Sequence, residues 1–262
     1  MEFISNLFNL FLYQPMVNIL VFFYEYVPGK DFGVAIILLT VLIKLALYPL
    51  GSRAIKSQKE LAEIQPQIKE IQEKYKNNKE EQTKKLFELY KEKRMNPFSG
   101  CLPVLIQLPV LIAIYRVFWR GFDPAQLDLL YGFMPDPGAI NSVFLGMVDL
   151  SRAPLAALPA GGYEIVWPGL ILAIVVSLLQ FVQIKMVSQK SASGANKNEF
   201  SAQMQKQMQY FMPFFMAIIL LRLPAALGLY FLTTNLFTIA QQYHILKEKN
   251  KGNHGKISTG KN

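Results

Sequence analysis

Residues 32–50, FGVAIILLTVLIKLALYPL, form one apolar run with a lysine, Lys44, inside it. A bilayer span needs roughly 20 apolar residues, so the run is long enough to cross. A charge in hydrocarbon must reach water, find a partner or lose its proton, so Lys44 constrains whatever packs around it. Thr40 and Tyr48 lie four residues to either side and share its face if the helix runs unbroken. Two readings of Lys44 are open from this run alone. It is a functional cation on a polar stripe, or it snorkels, since Leu50 lies only ~9 Å further along a helix axis.

The run is one of several. Hydrophobic residues make up 52% of the 262 and charged residues 17%, against about 25% charged in soluble domains. Because the apolar residues are gathered in blocks, the expected fold class is an all-α integral membrane protein. The net charge of +9 suits anionic lipid surfaces, acidic substrates or RNA. A single cysteine, Cys101, excludes an intrachain disulfide framework. His244 and His254 lie at or beyond the last apolar block, so no Ser-His-Asp, Cys-His or HExxH grouping fits within the membrane. No glycine-rich phosphate loop is present. The expectation is a protein that is not an enzyme, with no catalytic residue, metal or cofactor.

Five spans are predicted, at 32–50, 101–119, 165–186, 208–221 and 223–245. The fourth is short, and only Arg222-Leu223-Pro224 separates it from the fifth, which predicts a tight hairpin. Residues 1–30 are apolar but interrupted by Asn6, Asn9, Gln14, Pro15 and Asn18, with no preceding positive region. They read as an interfacial amphipathic helix on the outer side, with a sixth span as the alternative. Orientation follows from basic residues. Segments 51–98, 185–206 and the tail from Lys247 hold 21 of the 27 Lys and Arg. All three share one side if there are five spans, so the N-terminus is expected outside and the C-terminus in the cytoplasm.

Between the first two spans, Leu61, Ile64, Ile68, Ile71 and Tyr75 recur at helical spacing, and Leu86, Leu89 and Tyr90 follow after Asn77-Asn78. Two apolar stripes in succession predict a cytoplasmic helical hairpin over 53–93, kinked at Pro66. Glu70/Lys74, Glu80/Lys84 and Glu81/Lys85 are expected as i,i+4 pairs. Residues 121–164 read as an irregular outer loop with one short helix at most, 188–199 as a flexible linker, and 247–262 as a basic disordered tail. The five-span core with its hairpin and outer loop then occupies 31–246.

Polar residues recur inside the spans. Gln107 lies in the second, Ser177, Gln180 and Gln183 in the third, and Tyr230, Thr234, Asn235, Thr238 and Gln241 in the fifth. Each singly fits a hydrogen bond between helices, worth ~0.6 kcal/mol. Together with Lys44, Thr40 and Tyr48 they favour a shared hydrated cavity opening toward the cytoplasm. The second and fourth spans instead carry Leu102, Pro103, Leu108, Pro109, Met212, Pro213, Phe214, Phe215 and Ile219. Such a surface accommodates varied apolar partners, or it simply faces lipid.

Several stretches resemble the YidC/Oxa/Alb family of membrane protein insertases. They are LLTVLIKLALYPL (38–50), IQPQIKEI (64–71), MNPFSGCLPVLIQLPVLIAIY (95–115), QKQMQYFMPFF (205–215) and LPAALGLYFLTTNLFTIAQQ (223–242). The resemblance implies a hydrophilic groove open to cytoplasm and lipid and closed outside. The family's groove cation falls on Lys44, its groove threonine and tyrosine on Thr40 and Tyr230, and its apolar substrate slide on the second and fourth spans. It implies insertion and folding of newly made membrane proteins in a bacterial plasma membrane without nucleotide hydrolysis. The implied partners are these substrates, the lipid bilayer, a Sec translocon and, weakly, the ribosome, with no specific nucleic acid.

The chain departs from the family in having lysine where arginine is usual, no large outer domain, no N-terminal lipoprotein cysteine and a short tail. Residue chemistry alone leaves room for a solute or ion transporter or a structural partner of a translocon. The transporter lacks the acidic partners it would need deep in a span, and an intramembrane enzyme lacks a nucleophile with a base.

Overall fold

The computed structural model describes residues 2–96, 102–119, 129–138, 140–158, 161–187 and 199–258. The chain divides into two compact units. The first comprises Met1–Ala46, Leu105–Gln180 and Pro213–Phe237, and the second Leu47–Val104, Phe181–Met212 and Thr238–Asn262.

The first unit begins with α1 (Glu2–Phe8), a π-helical turn (Asn9–Tyr13) and α2 (Gln14–Tyr26), which follow one another without a break. Tyr13, Met16, Val17, Leu20, Val21 and Tyr24 bury one face at three- and four-residue spacing. α2 packs on α3 (Phe32–Ala46). The unit also takes in most of α7 (Leu102–Trp119) and α8 (Trp167–Val187), the end of α9 (Glu199–Arg222) and the start of α10 (Ala225–Ser258). Its core includes Ile36 and Leu39 of α3, Ile114 and Val117 of α7, Val176 of α8 and Leu227 and Tyr230 of α10.

The segment expected to be an irregular outer loop carries two short antiparallel hairpins, β1 (Val143–Phe144) with β2 (Val148–Asp149) and β3 (Leu155–Ala157) with β4 (Tyr163–Ile165). Phe144 pairs with Val148 and Ala156 with Glu164. No helix occurs among the described residues 140–158 and 161–166. The turns explain the hairpins: Gly146, Gly161 and Gly162 sit at positive φ, a conformation glycine adopts without the Cβ clash.

In the second unit, α4 (Tyr48–Glu63) is followed by α5 (Gln65–Lys74) and α6 (Lys79–Glu92). The helix is interrupted at Ile64 because Pro66 has no N–H and opens α5 instead. α5 and α6 pack through Ile64, Ile68 and Leu89, with Leu61, Ile71, Leu86, Tyr90 and Met95 around them. The Asn78 side chain caps α6 by accepting the Glu81 N–H at 3.1 Å. Lys85 pairs with Glu88 at 2.8 Å, one turn onward, rather than with Glu81 as expected.

Among the described residues, Ser5–Tyr26 and Trp167–Val187 are long and apolar enough to cross a membrane. A third span arises if Phe32–Ala46 and Tyr48–Glu63 count as one interrupted crossing; Gln107–Phe118 and Tyr210–Arg222 are shorter apolar helices. The N-terminal segment, expected to lie on the surface, thus has the length of a span. The tail also differs from expectation, since α10 continues to Ser258. Once a helix is nucleated, each further residue adds a hydrogen bond at little cost, and Lys-Glu-Lys sequence favours the extension. The linker expected at 188–199 lies, but for Glu199, outside the described residues.

Candidate functional site

Asp31 fixes the start of α3. Its Oδ1 accepts the N–H groups of Gly33 at 2.8 Å and Val34 at 3.1 Å, an N-cap that satisfies two donors of the first turn. From Phe32, Thr40 and Lys44 follow ~12 and ~18 Å along the axis. Thr40 is buried, and its hydroxyl donates back to the Ile36 carbonyl at 2.6 Å. Lys44 is half-buried.

Gln107 of α7 donates its side-chain amide to the phenol of Tyr230, which is buried on α10. Asn235, a turn further on, donates to the Val176 carbonyl of α8 at 3.2 Å. Two members of the α10 stripe therefore join it to α7 and α8, the helix-linking role open to each singly. Ser177 donates to the Ala173 carbonyl of its own helix at 2.8 Å, and Thr234 is buried. Gln180 differs: its Oε1 is buried with no hydrogen-bond partner, an arrangement that costs free energy inside a protein.

The remaining polar candidates, Tyr48, Gln183, Thr238 and Gln241, belong to the second unit. Tyr48 does not continue the helix of Thr40 and Lys44. α3 ends at Ala46, and Tyr48 opens α4 after Leu47. The cause is Pro49, in the first turn of α4, whose ring excludes the carbonyl four residues back. Gln183 carries a second buried Oε1 without a partner, and Thr238 is half-buried. Gln241 is tied down, its Nε2 donating to the Tyr48 carbonyl at 3.0 Å and to Ser52 Oγ at 2.9 Å.

Of the apolar candidates, Leu108 and Pro109 are exposed on α7, and Met212, Phe214 and Phe215 on α9. Ile219 is half-buried. Pro213 was expected on the exposed surface but is buried; at about 100° per residue the exposed Phe211, Met212, Phe214, Phe215 and Ile218 share one side of the helix and Pro213 falls on the other. Leu102 and Pro103 open α7, and their side chains lie outside the described residues.

Sequence reasoning missed a set of polar residues that organise the opposite end of the first unit. Asn18, fully buried, donates to the carbonyls of Gln14 at 2.8 Å and Leu129 at 2.9 Å, and accepts the Tyr131 N–H at 2.7 Å. Gln14 also donates to the Leu129 carbonyl, and the Tyr24 hydroxyl accepts the Asn141 N–H. Asp31 uses its second oxygen to accept the Leu145 N–H at 2.9 Å. The Phe144 ring occupies the space where a side chain on Gly33 would stand. The N–H groups of Ala225 and Ala226, opening α10, are taken by the carbonyls of Arg152 and Leu150. These side chains and backbone groups stitch residues 129–152 to three helices. The signal was present in Gln14 and Asn18, whose polarity read as an interruption of the apolar run. Within the same segment, burial of Asp149 opposes its ionisation, but hydrogen bonds from Ser151 and Ser142, with Arg152 nearby, outweigh it and hold its carboxyl below the ordinary aspartate range.

Chemically, the arrangement offers a cation, buried amides and hydroxyls, and apolar faces. Among the described residues no group of His, Cys, Asp and Glu could hold a metal ion.

Comparison with known proteins supplies a family. The model of the 60Kd inner membrane protein family matches residues 22–253. The chain is 34% identical over 218 residues to the membrane protein insertase YidC of Fusobacterium nucleatum subsp. nucleatum, covering 83% of this chain and 87% of that one. Proteins of the same name from Pelodictyon phaeoclathratiforme and Rickettsia akari are 33% and 32% identical over 231 and 239 residues, 88% and 89% of this chain. The chain spans only 36% and 38% of their length. The match runs from within α2 to the far part of α10 and takes in every motif quoted above, and so this chain belongs to the 60Kd inner membrane protein family, the family of the YidC insertases.

Proposed function

We propose that this protein inserts other proteins into a bacterial plasma membrane, without nucleotide hydrolysis, through a cytoplasm-facing hydrophilic groove centred on Lys44. The observation that carries the reading is a lysine within the apolar helix α3 of a chain related over most of its length to proteins named as insertases. The buried, unpartnered amide oxygen of Gln180, in the same unit as Lys44, supports a hydrated surrounding, because a buried acceptor without a donor is costly unless water or a guest reaches it. A protonated Lys44 attracts acidic or polar segments of a substrate. At an effective dielectric of 20, opposite charges ~4 Å apart attract by about 4 kcal/mol. The substrate's transmembrane segment then passes the exposed Leu108, Pro109, Met212, Phe214 and Phe215 into lipid, and burial of its own apolar residues drives the step. Helices α4 to α6 stand in the cytoplasm as a movable hairpin, the N-terminus lies outside and the C-terminus inside. A Sec translocon and the ribosome are further partners on this reading.

The test is insertion of a small, acidic-tailed membrane protein into liposomes holding the purified full chain. Activity is expected in the order wild type, Lys44→Arg, Lys44→Ala and Lys44→Glu, with the loss relieved when the substrate's acids become Asn or Gln. Wild-type insertion by Lys44→Glu of a substrate that needs this protein sinks the electrostatic step. Failure of the wild type to insert any substrate sinks the function.

A further inference from the structure

Gln241 stood among the expected groove residues, yet its surroundings give it another task. It is buried at 6% exposure. Its amide nitrogen has two hydrogens, and both have acceptors on one turn of α4: the Tyr48 carbonyl at 3.0 Å and Ser52 Oγ at 2.9 Å. Between these acceptors stands Gly51. A Cβ there would lie 3.3 Å from both Nε2 and Oε1 of Gln241, tighter than ordinary contact. Positions 48, 51 and 52 fall on one helical face. A carbonyl, a missing side chain and a hydroxyl therefore converge on a single amide.

The place matters as much as the fit. α4 starts immediately after the break at Leu47, so its first turn has no helix behind it to set its direction. α4 leads into α5, and α5 packs with α6. Resting on the reading of α4 to α6 as the cytoplasmic arm of an insertase, we infer that Gln241 is a positioning residue: it fastens the root of that arm to α10 and sets the angle between α4 and α10. The three nearest substitutes each lose part of the fit. Glutamate has no donor and would bring a charge into a buried place, asparagine is one methylene shorter, and methionine matches the length but offers no hydrogen.

The inference is tested with the full chain in lipid nanodiscs. Spin labels go on two exposed positions, Glu60 of α4 and Tyr243 of α10, and the distance distribution between them is measured. Gln241→Met is expected to broaden the distribution and raise the population of displaced α4 about thirtyfold, because both amide hydrogen bonds are lost and each carries a factor of about five. Ser52→Ala shifts it in the same direction by less. Gly51→Ala displaces the amide and shifts it in the wild type, but adds nothing in a Gln241→Ala background, where no long side chain remains for the new Cβ to displace. The initial rate of insertion falls severalfold in Gln241→Met. A wild-type distance distribution in Gln241→Met overturns the inference, as does independent addition of Gly51→Ala and Gln241→Ala. If Gln241→Met does not accumulate folded, Ser52→Ala decides by the same distribution. The distance measurement does not depend on insertion, so a wild type that inserts nothing removes the proposed function and leaves the fastening to be judged by itself.

Discussion

Replacing Asn18 by Ala should detach residues 129–131 from the N-terminal helix without unfolding the rest of the protein. Asn18 is 1% exposed and makes three hydrogen bonds, two to residues far away in sequence. The Leu129 carbonyl keeps the bond from Gln14 after the substitution, so the loss there is partial. The Tyr131 N–H keeps nothing, and a buried donor without a partner costs about 1–3 kcal/mol. Adding about 1 kcal/mol for the bond to Leu129 gives ~2–4 kcal/mol for local opening. At 1.36 kcal/mol per tenfold, amide exchange at Tyr131 should accelerate by roughly 30- to 900-fold. Hydrogen exchange followed by mass spectrometry in nanodiscs reads this directly, with peptides from α8 as the unaffected reference. Asn18→Leu, with the same branching and number of heavy atoms but no polar atom, separates lost hydrogen bonds from lost packing and should give most of the same acceleration. Unchanged exchange around Tyr131 in both variants refutes the claim that Asn18 anchors this segment.

Gly33→Val must expel the Phe144 ring from the start of α3; overpacking of this kind costs about 1–3 kcal/mol, and it should appear as faster exchange at β1 and β2 with α8 unchanged. Leu89→Ala empties part of the small core between α5 and α6, which costs ~2 kcal/mol or more; proteolytic cleavage within 65–92 should quicken, whereas Lys84→Ala on the exposed face should leave it unaltered. Asp149 titrates below the ordinary aspartate range, so its contribution to the β1–β2 hairpin is full at neutral pH and is lost as pH falls through that depressed value. Asp149→Asn should abolish this acid-dependent loosening, measured as exchange at Leu150 and Ser151 between neutral and strongly acidic pH.

The all-α, apolar character of the fold was legible in the blocks of hydrophobic residues, though not the number of spans, and the α5–α6 core was legible in three- and four-residue spacing. The position of Lys44 was legible for the same reason. The outer hairpins were not, because strands of two or three residues carry too little pattern, and what holds them is borrowed from helices far away in sequence. Asn18 shows the limit most clearly. Its polarity was visible, but a single asparagine in an apolar run looks the same whether it faces water or caps a distant backbone. Tyr48 fell off the face of Thr40 and Lys44 because one proline outweighed helical arithmetic. Gln241 fits a polar stripe by spacing, and only the empty side of Gly51 reveals what its amide reaches.

The π-helical turn at Asn9–Tyr13 has a consequence for the whole N-terminal rod. A wider turn of this kind holds one residue more than an α-helical turn, so everything before it is rotated by about 100° relative to an uninterrupted helix. Without that offset, the exposed Phe3 and Leu7 would be out of phase with the exposed Phe22 and Tyr26. With it, Phe3 lines up with Phe22 and Leu7 with Tyr26, and the exposed apolar residues at the two ends of the rod share one side. Arg116 of α7 sits against the place where the phase changes, 3.3 Å from Asn9 Oδ1 and with its guanidinium 5.1 Å from the centre of the Phe8 ring. The surplus residue acts as a frame correction. Closing this turn to ordinary pitch with all its residues kept would swing Phe3 and Leu7 about 100° out of line, whereas deleting one residue from 9–13 would remove the surplus and leave them aligned.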